Sequence, residues 1–163
     1  MKFWAVLIIL LYFFKAYSQD TVVTYYKSGK KFSEGIMKNG AEYGLWKFYY
    51  ENGKLKQEIE FVNGIIHGRI TYYFPDGKKE SEGYIRYGMK TGCFTDWYEN
   101  GNIKTTGFYK FDKKDSLWQY FYPDGKIKKE LKCKNDTCVL INFYLPDGKQ
   151  SLKNGTGYYI EYY

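Results

Sequence analysis

The chain has 163 residues, with 25 basic against 18 acidic, one histidine, and 22% aromatic content that includes 20 tyrosines. A lone histidine excludes a histidine-based catalytic pair within one chain and leaves any zinc site dependent on a cysteine cluster that the sequence does not offer. The lysines are interleaved with glutamates along the whole length, which argues against a nucleic-acid partner.

The first element is a targeting segment. Lys2 precedes an apolar run from Phe3 to Phe14, and Ala16 and Ser18 stand three and one positions before Gln19, the layout of an export signal over residues 1–18. Those twelve apolar residues fall short of the about 20 that a membrane helix needs, so cleavage after Ser18 is expected rather than anchoring. The first cysteine is Cys93, so no lipid attachment is expected at the new terminus. Loss of Lys2 and Lys15 lowers the net charge from +7 to +5. Residues 19–163 show no Pro- or Ser-rich linker and read as one continuous domain.

From there a glycine-centred turn recurs on a nearly fixed step. Gly29, Gly53, Gly77, Gly101, Gly125 and Gly148 are 24, 24, 24, 24 and 23 residues apart. Such a period marks a repeat array. Pro75-Asp76-Gly77, Pro123-Asp124-Gly125 and Pro146-Asp147-Gly148, together with Asn52-Gly53 and Asn100-Gly101, predict hairpin turns of type I followed by a bulge.

Each unit carries two strands. The first runs over Trp46–Tyr50, Ile70–Phe74, Phe94–Tyr98 and Trp118–Tyr122, with Val22–Tyr26 opening the array. Alternation along a strand sends Trp46, Phe48 and Tyr50, and their counterparts, to a core stripe. It sends Tyr49, Tyr73, Trp97 and Phe121 to the opposite face, as a ladder that is the candidate binding surface. The second strand is more polar: Leu55–Val62, Lys79–Arg86, Ile103–Lys110 and Ile127–Lys134. Glu34, Glu58, Glu82 and Glu130 recur at one register of it, with Thr106 in place of one, and cross-strand charge pairing on a solvated face accounts for them. A second turn follows at Asn39-Gly40 with Gly44, Asn63-Gly64 with Gly68, and Gly88 with Gly92; Asp112 and Ser116 replace the glycines once. Short connections demand antiparallel neighbours. The expected fold is all-β: an elongated meander of hairpins in a single twisted sheet, about a dozen strands at roughly 4.8 Å each.

The unit Gly44-Leu45-Trp46-Lys47-Phe48-Tyr49-Tyr50-Glu51-Asn52-Gly53-Lys54-Leu55, followed by Asn63-Gly64-Ile65-Ile66-His67-Gly68, resembles the MORN repeat in its bacterial variant form. The resemblance covers residues 22–163. It implies stacked hairpins without enzymatic activity or a cofactor, used for protein association and, in some proteins, for lipid contact. Bacterial variants are also labelled antitoxin components, a role that suits an exported chain only as immunity against a toxin acting in the envelope. The resemblance supplies no catalytic residue.

Few residues stand apart from the repeat. His67 is expected in the second turn. Cys133 and Cys138 flank a four-residue loop where the unit is one residue short, and in an exported chain they are expected as a disulfide. Cys93 occupies the position of Leu45 and Leu117 and is expected as a buried thiol. Asn135-Asp136-Thr137 and Asn154-Gly155-Thr156 match a glycosylation sequon. Gly157–Tyr163 reads as a last strand that caps the array or leaves an open edge. The expected function is that of a non-enzymatic exported protein binding another protein at the cell envelope, in the periplasm, at the outer surface or released. The alternatives are an immunity-type protein bound to a toxin, and a module for envelope glycan or anionic lipid. No metal, cofactor or nucleic acid is expected.

Overall fold

The computed structural model describes residues 19–158, all of them in strands or the turns between strands. The export segment, and the part of the last strand beyond Tyr158, lie outside the described residues. The strands are β1 Gln19–Tyr25, β2 Lys31–Lys38, β3 Ala41–Tyr49, β4 Leu55–Val62, β5 Ile65–Tyr73, β6 Lys79–Arg86 and β7 Met89–Trp97. They continue as β8 Ile103–Lys110, β9 Lys113–Phe121, β10 Ile127–Lys134, β11 Thr137–Tyr144, β12 Gln150–Lys153 and β13 Thr156–Gly157. All 13 form one sheet in sequence order, and neighbouring strands are antiparallel throughout. This is the expected meander.

The polar strands end where their flanking turns predict, but β3, β5, β7 and β9 start about five residues earlier than expected. The second turn is the cause. It is a two-residue turn with both residues in the left-handed region, Asn39 and Gly40 or Asn63 and Gly64, the geometry that matches strand twist. Gly44, Gly68 and Gly92 are not turn residues. They sit inside β3, β5 and β7 at φ of 70°, 137° and 84°, where the register slips by two residues: Glu34 pairs with Lys47, yet Ile36 pairs with Tyr43. Because the slip is even, the faces are preserved on both sides of it. In β11, where the unit is one residue shorter, the slip is one residue, with Glu130 paired to Asn142 and Leu131 to Leu140.

One face carries the core. Trp46, Ile59, Ile70, Ile85, Phe94 and Trp118 are buried there, although the described chain has no second layer. Large rings folded over neighbouring strands supply the cover. The Trp118 ring lies on Gly107 of β8, where an added Cβ would come within 2.2 Å of it. The indole then donates from Nε1 to the carbonyl of Phe108 at 3.1 Å. Trp46 treats Gly35 and Ile36 in the same way, and Phe94 covers Gly83. Where the covering residue is Ile70 instead, its partner is Ile59. Size is thus exchanged across each pair, large over nothing or medium beside medium.

Both long edges are stitched from unit to unit. On the first-turn edge the hydroxyls of Tyr26, Tyr50, Tyr98 and Tyr122 donate to the carbonyls of Tyr49, Tyr73, Phe121 and Tyr144, at 2.6 to 2.8 Å. These tyrosines end the expected core stripe, and their hydroxyls tie it to the next hairpin. Phe74 occupies the same place without a hydroxyl. On the second-turn edge the amides of Gly64, Gly88, Asp112 and Asp136 donate to the carbonyls of Glu42, Ile66, Lys90 and Lys114.

Candidate binding surface

The face opposite the core is built on a polar row. Glu34, Lys47, Glu58, Thr71, Glu82, Thr95, Thr106, Gln119 and Glu130 are paired in turn across β2 to β10. The cross-strand charge pairing expected for the glutamates is met only by Lys47 and Glu58 at 4.0 Å. Glu34 and Glu82 are instead held from their own strands, by Lys31 at 2.8 Å and Lys79 at 2.6 Å. For Glu82 the cross-strand places hold Thr71 and Thr95, so its lysine comes along the strand, whereas Glu34 has Lys47 opposite, which reaches Glu58 instead.

Beside this row, towards the first turns, run Tyr49, Tyr73, Trp97 and Phe121. All four are half-buried. The hydroxyl of Tyr49 donates to Glu34 and that of Tyr73 to Glu58 Oε2 at 2.7 Å. Lys31 and Lys79 lie over the rings of Tyr49 and Trp97 at 5.4 and 5.9 Å. Burial first, and then the hydrogen bond to a carboxylate, push the tyrosine hydroxyls up to about 12. Glu34 is held below the usual carboxylate range, by Lys31 and then by Tyr49. Tyr49 and Tyr73 are thus tied into the sheet through their hydroxyls, and the rings of Tyr49 and Trp97 are faced by lysines.

The freer apolar surface lies on the other side of the polar row, towards the second turns. Leu45, Tyr84, Cys93, Phe108, Leu117 and Val139 share one register there and are all exposed, Leu45 and Leu117 at 45% each. Cys93 is thus an exposed thiol and not the expected buried one. Alternation along β7 places it on the open face, next to Phe94 on the core side. Sequence reasoning had the signal in hand, since Leu45, Cys93 and Leu117 share a position, but assigned that position to the core.

At the tips of the same edge, Tyr87 and Phe111 adopt φ of 51° each and are 65% and 51% exposed. Bulky residues seldom occupy the left-handed region, and Asn stands at the equivalent points of four other turns at φ of 50° to 54°. His67 also departs from expectation. It lies in β5, not in the turn, with its ring 4.6 Å from that of Tyr87.

Cys133 and Cys138 face each other across β10 and β11 and are joined by a disulfide of 2.02 Å with their Cα atoms 4.0 Å apart. It closes a turn whose residues are Asn135 and Asp136 at φ of 50° and 70°. Among the described residues no group of three or more His, Cys, Asp or Glu side chains is placed to hold a metal ion.

The sequence profile of the MORN repeat variant family matches residues 42–63, 66–86, 90–111 and 114–135. Each match spans one hairpin about a first turn: β3–β4, β5–β6, β7–β8 and β9–β10. The hairpins β1–β2 and β11–β12 repeat the arrangement outside the matched residues. No curated protein matches the chain.

Proposed function

The chain belongs to the MORN repeat variant family, a non-catalytic repeat type, and on that premise we propose that it is a non-enzymatic exported protein that binds another protein at the cell envelope through its open face. One observation carries this reading: an exposed apolar row at a fixed register, continuous over Tyr84, Cys93, Phe108 and Leu117 on β6 to β9, set off from Leu45 by Glu60 and Arg69 and from Val139 by Lys132, and flanked by exposed aromatic turn tips. Scattered exposed apolar residues need no explanation, but aligned ones make a patch that invites a partner. Aligned repeats offer it the same contact several times, and the half-buried ladder of Tyr49, Tyr73, Trp97 and Phe121 forms its far border.

The export layout of residues 1–18 supports the envelope as the place, and the repeat type supports a role without catalysis. The test is affinity capture from the native envelope with the parent chain and two variants shown by circular dichroism to be folded. One carries Leu45→Ser, Phe108→Ser and Leu117→Ser; the other carries Tyr73→Ala, Trp97→Ala and Phe121→Ala. A protein retained by the parent, lost by the first variant and rebinding the parent one-to-one after purification is expected. Retention only on purified glycan, or on anionic vesicles in a salt-sensitive manner, would overturn the reading.

A further inference from the structure

The core face is interrupted at one point, and the interruption has the form of a receptor. Phe48, Tyr72 and Tyr120 occupy one row of that face on β3, β5 and β9. In β7 the same place holds Asp96, and its paired neighbours are Ser81 and Thr105. Three short polar side chains in succession leave a notch where the repeat would place a ring.

Two cavities meet there, of about 320 and 140 Å³, and both are lined by Tyr72, Ser81 and Asp96. The smaller is floored by Ile70, Ile85 and Phe94, which belong to the buried core. The larger adds Glu80 as a second carboxylate. Asp96 accepts a hydrogen bond from the Ser81 hydroxyl at 2.7 Å. Among the described residues no ion pair brings a lysine or arginine within 4.0 Å of it. The two lysines at the cavity walls are turned to rings, Lys104 to Tyr98 at 5.7 Å, and Lys90 to Tyr109 at 5.0 Å and to Phe94 at 5.5 Å. A half-buried carboxylate without a cation, set above an apolar floor, is complementary to a positive charge on an apolar stem.

We propose that this notch binds an alkylammonium group, the chemistry carried by a lysine side chain or by a free linear amine. The methylene stem lies on Ile70 and Ile85, and the ammonium meets Asp96. A compact ammonium with three donors suits a site bounded by a carboxylate and short hydroxyls better than a planar guanidinium, which seeks a two-point partner. The site lies on the face opposite the exposed apolar row and does not depend on the function proposed for that row.

The full chain is titrated with Nα-acetyl-lysine methylamide while backbone amide resonances are followed. Saturable shifts confined to the neighbourhood of Tyr72, Ser81, Phe94 and Thr105 are expected. Binding at least tenfold weaker is expected for the norleucine analogue, which keeps the stem and lacks the charge, and equally for Asp96→Asn with the lysine probe. Asp96→Tyr restores the aromatic row and is expected to abolish binding while raising the melting temperature; Asp96→Asn, close in shape to the parent, keeps the test valid if that variant fails to fold. n-Pentylamine separates the sources: equal affinity points to free amines, weaker affinity to a lysine presented by a polypeptide. Absence of saturation with either probe, shifts centred elsewhere, or undiminished binding by Asp96→Asn would overturn the proposal.

Discussion

The hydroxyls of Tyr49 and Tyr73 give the sheet a dependence on alkaline pH. Both are raised from 10 to about 12 in the folded chain, so the folded state holds these protons when the unfolded state has lost them. Their contribution to stability is whole below about pH 10 and is lost as pH rises through about 12. Tyr73→Phe removes one of the two groups. Urea unfolding at pH 8, 10 and 11.5 is expected to show a shallower alkaline decline for the variant, and parallel curves would contradict this account. A second residue-scale consequence concerns Gly107. Its missing side chain is the space that the Trp118 ring occupies, so Gly107→Ala is expected to cost about 1–3 kcal/mol by overpacking. The pair Gly107→Ile with Trp118→Ile copies Ile59 and Ile70. It should lose less than the sum of its single changes, as a double-mutant cycle in urea would show.

At the scale of the element, the two kinds of turn invite opposite tests. Tyr87→Asn replaces an exposed ring held at φ 51° by the residue that the other turns use. It is expected to stabilise the chain by about 1 kcal/mol, since left-handed backbone costs a bulky residue roughly that much. Loss of partner binding by the same variant would show why the strain is kept. On the other edge, Phe74→Tyr should add the missing tie to the carbonyl of Trp97 and gain about 0.5–1.5 kcal/mol, read as a shift in the urea midpoint. Legibility in the sequence follows these elements. Strands such as Leu55–Val62 were readable to the residue because a marked turn bounds each end. The start of β3 was not, because Gly44 looks like punctuation and is in fact a slip within a strand. The exposed row was missed for a different reason: alternation sends Leu45, Cys93 and Leu117 to the open face beside buried Trp46, Phe94 and Trp118, but their apolar character suggested burial. Asp96 was visible as a departure from the aromatic pattern, but its consequence depends on Ser81 and Thr105, brought beside it only by the register.

For the whole molecule the period implies modularity. Removing residues 64–87 joins Asn63 to Gly88 and recreates an Asn-Gly turn of the kind at Asn39-Gly40. The shortened chain is expected to remain a folded sheet by far-ultraviolet circular dichroism, with a lower melting temperature, because stability in such arrays is nearly a sum over units and their junctions. Collapse to an unfolded chain would mean that the units are not independent to this degree. Reduction of Cys133 and Cys138 should cost no more than about 2–3 kcal/mol, because the loop they close is small. The position of that bond matters more than its free energy. Hydrogen bonds between strands run along the length of the sheet, so a load applied to its two ends acts on the strand pairs in series and on the bonds within each pair in parallel. The disulfide bridges directly paired residues of β10 and β11 beside their turn, so opening of that hairpin stops at Cys133 and Cys138 and spares the four residues between them. Under tension every junction carries the same load, and this hairpin, once opened, releases a shorter length of chain than its neighbours.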